Sequence, residues 1–404
     1  MLLKDRERVS ERKTTFTINQ AFPFSYVSPY DQKDIKCQCH FVHTIQNNNN
    51  IFFGLSWKHL SSSLKIFNRE IVFNVTRKIS NMSRPSVYLT RPDVAQQGIQ
   101  LLEDECDVTM WDKTCPVPRE ELLKRVVGKD AIYCTLCDKI DAEVLDAAGP
   151  SLKVIGTISV GYDHIDVEEC RKRGVRIGYT PDVLTDATAE LTLALLLATS
   201  RRLFEANREV YNGGWKAWSP SWMCGMGLKN STVGIVGFGR IGYEVAKRLI
   251  PFKPKKILYF NRSDKPQFAS ETGAERVGSN DLLANSDFVI CTIALTPDTH
   301  HLFDSVSFSK MKPNSIFINT SRGGVVDQEA LYEALVNRQI YAAGLDVTTP
   351  EPLPLNSKLL TLPNCIILPH IGSAEYDTRK EMSRITACNI LAGIKGIRMA
   401  DELE

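Results

Sequence analysis

The chain has 404 residues, of which 43% are hydrophobic and 24% charged, a composition that supports a folded core and excludes wholesale disorder. Its 49 basic and 47 acidic side chains leave a net charge of +2, so no global field would attract nucleic acid or an anionic membrane. The longest apolar run, at 191–198, is far shorter than the roughly 20 residues that a membrane span needs.

Residues 1–81 differ from the remainder of the chain in charge and in pattern. They hold 12 basic and 6 acidic side chains, whereas the remaining residues hold 37 and 41. The stretch shows no alternation of strands and helices, although 52–57 and 66–73 have the composition of short strands. We therefore expect a poorly ordered or non-native N-terminal extension, and we expect the functional protein to begin at Met82.

The number and placement of the cysteines indicate the cellular compartment of the protein. Eleven of them are scattered through the chain without a signal peptide, which favours a reducing compartment and a cytoplasmic protein. The basic N-terminus carries early acidic residues, so it is a weak mitochondrial signal. Cys134 and Cys137 lie in an apolar run and are interpreted as buried strand thiols, because no second Cys or His pair completes a metal site. We expect no bound metal.

After Met82, apolar runs of four to eight residues alternate with stretches of helical periodicity. Such alternation is typical of parallel sheets covered by helices, and its length predicts two doubly wound α/β domains. The helical stretches lie at 94–106, 119–126, 241–249 and 328–337. The predicted strands lie at 87–89, 131–136, 153–157, 175–178, 232–237, 256–260, 287–293, 315–319, 342–347 and 365–368.

The strongest local motif lies at 233–242, where an apolar strand runs into Gly237-x-Gly239-x-x-Gly242 and a helix follows. Gly237 permits the tight turn, Gly239 lets the backbone approach a pyrophosphate, and Gly242 lets the helix and the strand come close together. The helix then presents unpaired N–H groups to the phosphates. The motif therefore predicts a dinucleotide site.

The end of the next strand indicates which dinucleotide is bound. An NAD site usually has Asp or Glu there to bind the ribose 2′-OH, but this strand ends in Asn261-Arg262-Ser263. A guanidinium pairs well with a 2′-phosphate, and Ser263 and Lys265 would add a hydroxyl and a charge. Asp264 argues against binding of a 2′-phosphate, but we expect this residue to lie beyond the ribose. These residues favour NADPH, with NADH bound more weakly.

Three chemically capable side chains follow three successive predicted strands, namely Arg322, Glu351 and His370. Ligands bind at the carboxyl edge of open α/β sheets, so we expect these side chains to share one pocket. Hydride transfer to a carbonyl needs a proton donor, and His370 suits that role. Glu351 would stabilise the imidazolium, and Arg322 would polarise the carbonyl and bind an adjacent carboxylate.

A fourth feature lies at 158–165 and follows the predicted strand at 153–157. Gly161 allows the surrounding backbone N–H groups to face an anion, which predicts a small nest for a substrate carboxylate. The nearby His164 is interpreted as structural.

Together, five segments resemble the D-isomer-specific 2-hydroxyacid dehydrogenases, and within them the animal glyoxylate/hydroxypyruvate reductases. The segments are SVGYDHID, VGIVGFGRIG, NTSRGG, GLDVTTPEP and LPHIGS, in family order. Further likeness lies at 178–186, at 213–220 and in the Asn-Arg-Ser turn. The resemblance covers about residues 85–402 and implies reduction of small 2-oxo acids, glyoxylate and hydroxypyruvate, with NADPH.

The resemblance also implies roles for individual residues. Arg322, Glu351 and His370 match the catalytic set, while Val160 and Gly161 match amides that bind the substrate carboxylate. Leu136 matches a position that lines the pocket, and Trp218 one that edges the neighbouring subunit's pocket. The implied cofactor contacts are Gly237, Gly239, Arg240, Ile241, Gly242, Arg262, Ser263, Asp264, Lys265, Ala294, Thr320, Asp346 and Gly372.

At the level of domains, the resemblance implies a substrate domain formed by 82–183 and 372–404, with an NADP-binding domain at 184–371 between them. It also implies a homodimer formed through the arm Trp215–Trp222. Two other functions stay open: an NAD-linked dehydrogenase for another 2-hydroxy acid such as 3-phosphoglycerate, and a dinucleotide-sensing corepressor. Arg262 argues against the first, and the acidic body of the chain against the second.

Overall fold

A computed structural model describes residues 16–27, 34–46, 50–54 and 84–403, and the chain divides into two units, Met1–Ser83 and Arg84–Glu404. The first unit contains three antiparallel strands in sequential order, namely β1 (Phe16–Val27), β2 (Asp34–Gln46) and β3 (Asn50–Gly54). The strand expected at 52–57 overlaps β3, and the one expected at 66–73 lies outside the described residues.

The second unit contains two parallel sheets, which confirms the predicted α/β class. The first sheet has five strands in the order β5-β4-β6-β7-β8. Its strands are β4 (Ser86–Leu89), β5 (Asp107–Met110), β6 (Ala131–Cys134), β7 (Val154–Thr157) and β8 (Arg176–Gly178). The helices between them are α1 (Gln96–Glu105), α2 (Arg119–Arg125), α3 (Ala142–Ala148) and α4 (Val167–Lys172).

The second sheet has seven strands in the order β11-β10-β9-β12-β13-β14-β15. The order in which strands are added therefore reverses between β9 and β12, and open α/β sheets bind ligands at such a point. The strands are β9 (Thr232–Val236), β10 (Lys256–Phe260), β11 (Glu275–Arg276), β12 (Phe288–Cys291), β13 (Ile316–Asn319), β14 (Ala342–Leu345) and β15 (Cys365–Ile367). The helices are α5 (Thr185–Ser200), α6 (Leu203–Tyr211), α7 (Arg240–Leu249), α8 (Pro266–Thr272), α9 (Ser279–Asn285), α10 (Ser305–Lys310) and α11 (Gln328–Val336).

After β15 the chain returns to the first sheet as the long helix α12 (Tyr376–Ile394), which lies against α1 and strands β6, β7 and β8. Met382 and Ile390 of α12 are buried in one apolar cluster with Val87 and Leu89 of β4. Gly156 on β7 allows this approach, because a Cβ there would lie 2.6 Å from Cγ1 of Ile390. The division into domains at 183/184 and 371/372 stays a prediction.

Two strands of the second unit escape the sequence prediction, and both lie at the edge of a sheet. Strand β5 alternates exposed and half-buried residues, and both residues of β11 are exposed. Neither strand carries the continuous apolar run by which the central strands are found.

The prediction that both Cys134 and Cys137 are buried strand thiols is confirmed for Cys134, which lies on β6. It is wrong for Cys137, which is exposed beyond the end of that strand. In the described part of the chain, no helix is long and apolar enough to cross a membrane.

Candidate functional site

A cavity of about 340 Å³ lies between the carboxyl ends of the two parallel sheets of the second unit. Residues from both sheets line it, which is the position that the strand-end argument predicts. Of the predicted site residues, the cavity is lined by Leu136, Val160, Gly161, Gly239, Arg240, Ile241, Ala294, Thr320, Arg322, Asp346, His370 and Gly372. The separate motifs therefore meet in one cleft.

His370 and Glu351 form a hydrogen-bonded pair at this cleft. The distance from His370 Nδ1 to Glu351 Oε2 is 2.7 Å, and the other carboxylate oxygen accepts a hydrogen bond from the amide of Thr348 at 3.0 Å. Burial alone raises the pKa of the Glu351 carboxyl, but the hydrogen bond and charge of His370 and the Thr348 amide bring it below its usual range. The pair therefore fixes the imidazole orientation, and no described residue hydrogen-bonds His370 Nε2.

The backbone at His370 is in the left-handed region, with φ of 54°, which is costly for a residue other than glycine. Asp346, buried at the end of β14, holds this conformation from one side. Its carbonyl accepts the His370 amide at 2.8 Å, and its carboxylate accepts the amides of Ile371 and Gly372, each at 2.8 Å. Burial raises the pKa of the Asp346 carboxyl. The hydrogen bonds from the amides of Ile371 and Gly372 act in the opposite sense, because they stabilise its ionised form.

Arg322, after β13, crosses the cleft to the first sheet. Its Nε donates to Asp163 Oδ1 at 2.9 Å, and its Nη1 donates to the carbonyl of Ser321 at 2.9 Å. Burial raises the pKa of Asp163, but the charge and hydrogen bond of Arg322 bring it below its usual range. Nη2 points to Gly161, where a Cβ would lie only 1.8 Å from it, and no described residue accepts a hydrogen bond from it. Gly161 is therefore required for the guanidinium to reach the anion nest.

His164, three residues beyond Gly161, lies partly buried behind the cleft. Its Nε2 lies 2.9 Å from Oγ1 of Thr157, and its Nδ1 is buried without a partner among the described residues. Burial lowers the pKa of His164 to about 4. The ring is therefore neutral at physiological pH, as its structural interpretation requires, and it does not line the cavity.

The turn between β9 and α7 has the geometry that its three glycines predict. Gly237 has φ of 97°, and a Cβ there would lie 2.5 Å from the amide nitrogen of Ile293. A Cβ at Gly242 would lie 2.3 Å from the carbonyl oxygen of Gly237. At Gly239, by contrast, a Cβ would meet nothing within 4 Å, so open space lies over the turn. No side chain caps the start of α7, and its first turn has no acidic residue.

These features fit a dinucleotide. Uncapped amides at the start of α7, beneath the open space at Gly239, are suited to binding a pyrophosphate. Arg240 lies beside them and forms an ion pair with Asp182. Asp346 and Gly372 lie farther along the same cavity, next to His370. A nicotinamide cofactor held in this order would therefore have its reactive ring near the imidazole.

The turn after β10 is organised by its own side chains. Asn261 Nδ2 donates to the carbonyl of Ser263 at 2.9 Å, and the Tyr259 hydroxyl donates to Asp264 Oδ1 at 2.7 Å. Asp264 is thus turned back towards its own strand, and its position relative to a ribose stays a prediction. Arg262 is exposed, and no described residue forms an ion pair with it. Arg262 to Lys265 lie outside the residues that line the cavity.

Trp218 does not line the cavity, and it is 82% exposed. Several lining residues escape the sequence analysis, including Asp163, Ser373 and Arg379. Arg379, on α12, donates from Nε to the carbonyl of Ser373 at 3.0 Å, and burial lowers its pKa. Asp163 and Ser373 could have drawn attention through their positions in the SVGYDHID and LPHIGS segments, whereas Arg379 lies outside all five segments.

Comparison with known proteins agrees with this geometry. Residues 193–372 match the model of the D-isomer specific 2-hydroxyacid dehydrogenase NAD-binding domain. The chain is 54% identical over 319 residues to the mouse glyoxylate reductase/hydroxypyruvate reductase, covering 79% of this chain and 97% of that protein. It belongs to the D-isomer-specific 2-hydroxyacid dehydrogenase family.

Solved structures of the same fold include a protein from Thermus thermophilus, 42% identical with a TM-score of 0.74, covering 79% of this chain and 100% of that one. Another is an NADPH-dependent glyoxylate/hydroxypyruvate reductase from Sinorhizobium meliloti, 29% identical with a TM-score of 0.68, in complex with NADP and malonate. That match covers 80% of this chain and 97% of the other.

The partly buried His164 makes the stability of this dehydrogenase sensitive to acid. The folded state keeps the ring neutral down to about pH 4, whereas an unfolded chain protonates it below its ordinary pKa of 6.5. Stability is therefore lost as the pH falls through this window, by about 2 kcal/mol near pH 4.5. We expect His164→Asn to reduce the loss in urea midpoint between about pH 7 and about pH 4.5. An unchanged pH dependence in this variant would contradict the assignment.

Proposed function

We propose that this chain reduces glyoxylate and hydroxypyruvate with NADPH, by hydride transfer to the 2-oxo carbonyl. The observation that carries the proposal is the meeting of the His370–Glu351 pair, the free Nη2 of Arg322 and the dinucleotide turn in one cleft. The mouse relative bears the name of this activity, and so does the Sinorhizobium structure.

The substrate carboxylate is assigned to the backbone amides around Val160 and Gly161, with Nη2 of Arg322 beside them. The ion pair with Asp163 holds the guanidinium in place without using Nη2, so no large reorganisation is needed when an anion binds. Leu136 lines the same part of the cleft and restricts the bulk of the substrate. This arrangement suits small 2-oxo acids.

The proton is assigned to His370. Glu351 accepts from Nδ1, so the proton on Nε2 is the one that can be donated to the carbonyl oxygen as negative charge develops there. Because the pKa of Glu351 is low, its carboxylate is ionised at neutral pH and stabilises the imidazolium. Arg322 stabilises the same developing charge from the opposite side.

The cofactor is assigned to the turn at Gly237–Gly242 and to Arg240, Ala294, Thr320, Asp346 and Gly372. When bound, NADPH supplies the hydride. The chain's contribution is to hold the ring beside His370 and to bind the phosphates at the start of α7. We assign the 2′-phosphate to Arg262, Ser263 and Lys265, because the one carboxylate on that turn, Asp264, is directed to Tyr259.

A homodimer accounts for an exposed apolar surface on this chain. Helix α6 buries none of its residues, and Tyr211, Trp215 and Trp218 are 83%, 59% and 82% exposed. Monomers rarely leave so many large apolar side chains in water. We propose that the arm Trp215–Trp222 forms the dimer contact and that Trp218 borders the partner's pocket.

The cytoplasmic location expected from the cysteines stays a prediction.

The activity is tested with the full-length chain in steady-state assays. NADPH and NADH are compared with glyoxylate, hydroxypyruvate, pyruvate and phosphohydroxypyruvate. We expect kcat/KM to be highest for NADPH with glyoxylate or hydroxypyruvate. Equal or higher kcat/KM with NADH would overturn the cofactor assignment, and preference for phosphohydroxypyruvate would overturn the substrate assignment.

His370→Asn tests the proton donor, and asparagine suits the left-handed backbone at this position. We expect kcat to fall by about 10²- to 10⁴-fold, because positioned acid catalysis contributes that much. The NADPH dissociation constant, measured by fluorescence, should change less than about twofold, since the side chain holds no phosphate. Glu351→Gln should give a smaller loss of kcat, while near wild-type turnover by the His370 variant would exclude it as the acid.

Trp218→Ala tests the dimer arm. We expect it to change the ratio of kcat/KM for hydroxypyruvate and glyoxylate by roughly three- to tenfold, because the indole would border the partner's substrate pocket. NADPH binding should stay within about twofold of wild type. Leu355→Ala, which removes a 96% exposed apolar side chain outside the arm, is the control. An unchanged substrate ratio, or a monomer in sedimentation of the wild type, would contradict the proposal.

A further inference from the structure

Arg276 lies close to the turn after β10, although it is 14 residues downstream of Arg262 in the sequence. It is on the short edge strand β11, and its Cα is paired with that of Tyr259 on β10. Its Nη2 lies 3.4 Å from the carbonyl oxygens of both Asn261 and Arg262. The guanidinium therefore lies back across the turn that follows β10.

Positively charged side chains outnumber negatively charged ones around this turn. Three cations surround it, Arg262, Lys265 and Arg276, and among the described residues none of them forms an ion pair. The one carboxylate of the turn, Asp264, accepts hydrogen bonds from the Tyr259 hydroxyl and from the Lys265 amide. These bonds, and the charge of Arg276, lower the pKa of Asp264, so its carboxylate stays ionised while it is bound to the Tyr259 hydroxyl.

Repulsion among three cations, two on the turn and one reaching it from β11, is compensated when an anion binds between them. A phosphate monoester carries close to two negative charges and accepts hydrogen bonds from two guanidinium groups at once. The second strand of a dinucleotide fold ends beside the adenosine ribose, and β10 is that strand here. The anion that fits these three cations is therefore a ribose 2′-phosphate.

We propose that Arg276 is a second arginine that binds the 2′-phosphate and, with Arg262, makes this chain select NADPH over NADH. The proposal rests on the proposed function, because it adds a residue to the cofactor site assigned there. Sequence reasoning cannot find Arg276, since only the parallel pairing of β10 with β11 brings it to the turn.

A purely structural role for Arg276 predicts a different result. Its two contacts to carbonyl oxygens are long, at 3.4 Å, so they hold the turn only weakly. If they nevertheless set the shape of the turn, their loss would weaken NADPH and NADH binding alike. A role at the 2′-phosphate weakens NADPH binding alone, because NADH has a hydroxyl at that position.

The test compares Arg276→Ala, Arg262→Ala and the double variant in the full-length chain. Dissociation constants for NADPH and NADH are measured by fluorescence at low and high salt, without substrate. We expect Arg276→Ala to weaken NADPH binding about tenfold and NADH binding less than about twofold, with a smaller salt dependence for NADPH. Lys256→Ala, which removes an exposed cation paired with Glu275 at the other end of β10, is the control and should change neither constant.

The outcomes separate the two proposals. Equal weakening of both cofactors, or no weakening of NADPH, by Arg276→Ala overturns the role of Arg276, while a selective loss in Arg262→Ala leaves the NADPH assignment intact. If the wild type binds NADH as tightly as NADPH, the cofactor assignment and this inference both fail. Unchanged melting temperatures confirm that each variant is folded. The conservative variant Arg276→Lys should restore part of the NADPH affinity, because it keeps the charge but not the bidentate geometry.

Discussion

The buried carboxylate of Asp346 is the interaction on which the site depends most. It lies at the end of β14 and binds the amides of the two residues that follow His370, while its own carbonyl binds the His370 amide. These bonds hold a backbone conformation that His would not adopt alone. They also direct the chain out of the seven-stranded sheet and into α12. One carboxylate thus sets both the backbone conformation at His370 and the path between the sheets.

A second constraint joins the two sides of the cleft. Arg322 belongs to the seven-stranded sheet and Asp163 follows the five-stranded one, so their ion pair spans the cavity. Because Nη2 is left without a described partner and Gly161 has no side chain, the pair does not block the anion nest. The positive charge that we propose for substrate binding is therefore already held in place by Asp163, so little reorganisation would be needed when an anion binds.

The sequence predicts those parts of the site whose signals are local. Arg322, Glu351 and His370 are found because each follows its own apolar strand, and the glycine turn is found because the strand, glycines and helix are contiguous. Asp163 is missed as the partner of Arg322 because the two are 159 residues apart. Arg276 is missed because β11 is a two-residue edge strand without an apolar pattern.

The same reasoning explains the limits of the fold prediction. Central strands such as β12 and β13 are buried on both faces and read as continuous apolar runs. Five of the ten predicted strands end one or two residues too late, because the apolar run continues into the loops that carry the site, as with Leu136 after β6. The cap that α12 forms over the first sheet has no local signal, since its partners are at the opposite end of the second unit.

That late helix has a consequence for how the protein is made. The five-stranded sheet is complete at β8, but α12 covers one of its faces and is synthesised roughly 200 residues later. Until then the apolar side chains of β4 and β6 in this cluster lack Met382 and Ile390 as partners and are covered only in part. The intervening seven-stranded sheet needs no such late segment and can fold first on the ribosome. The earliest part of this unit to be synthesised is therefore the last to be buried.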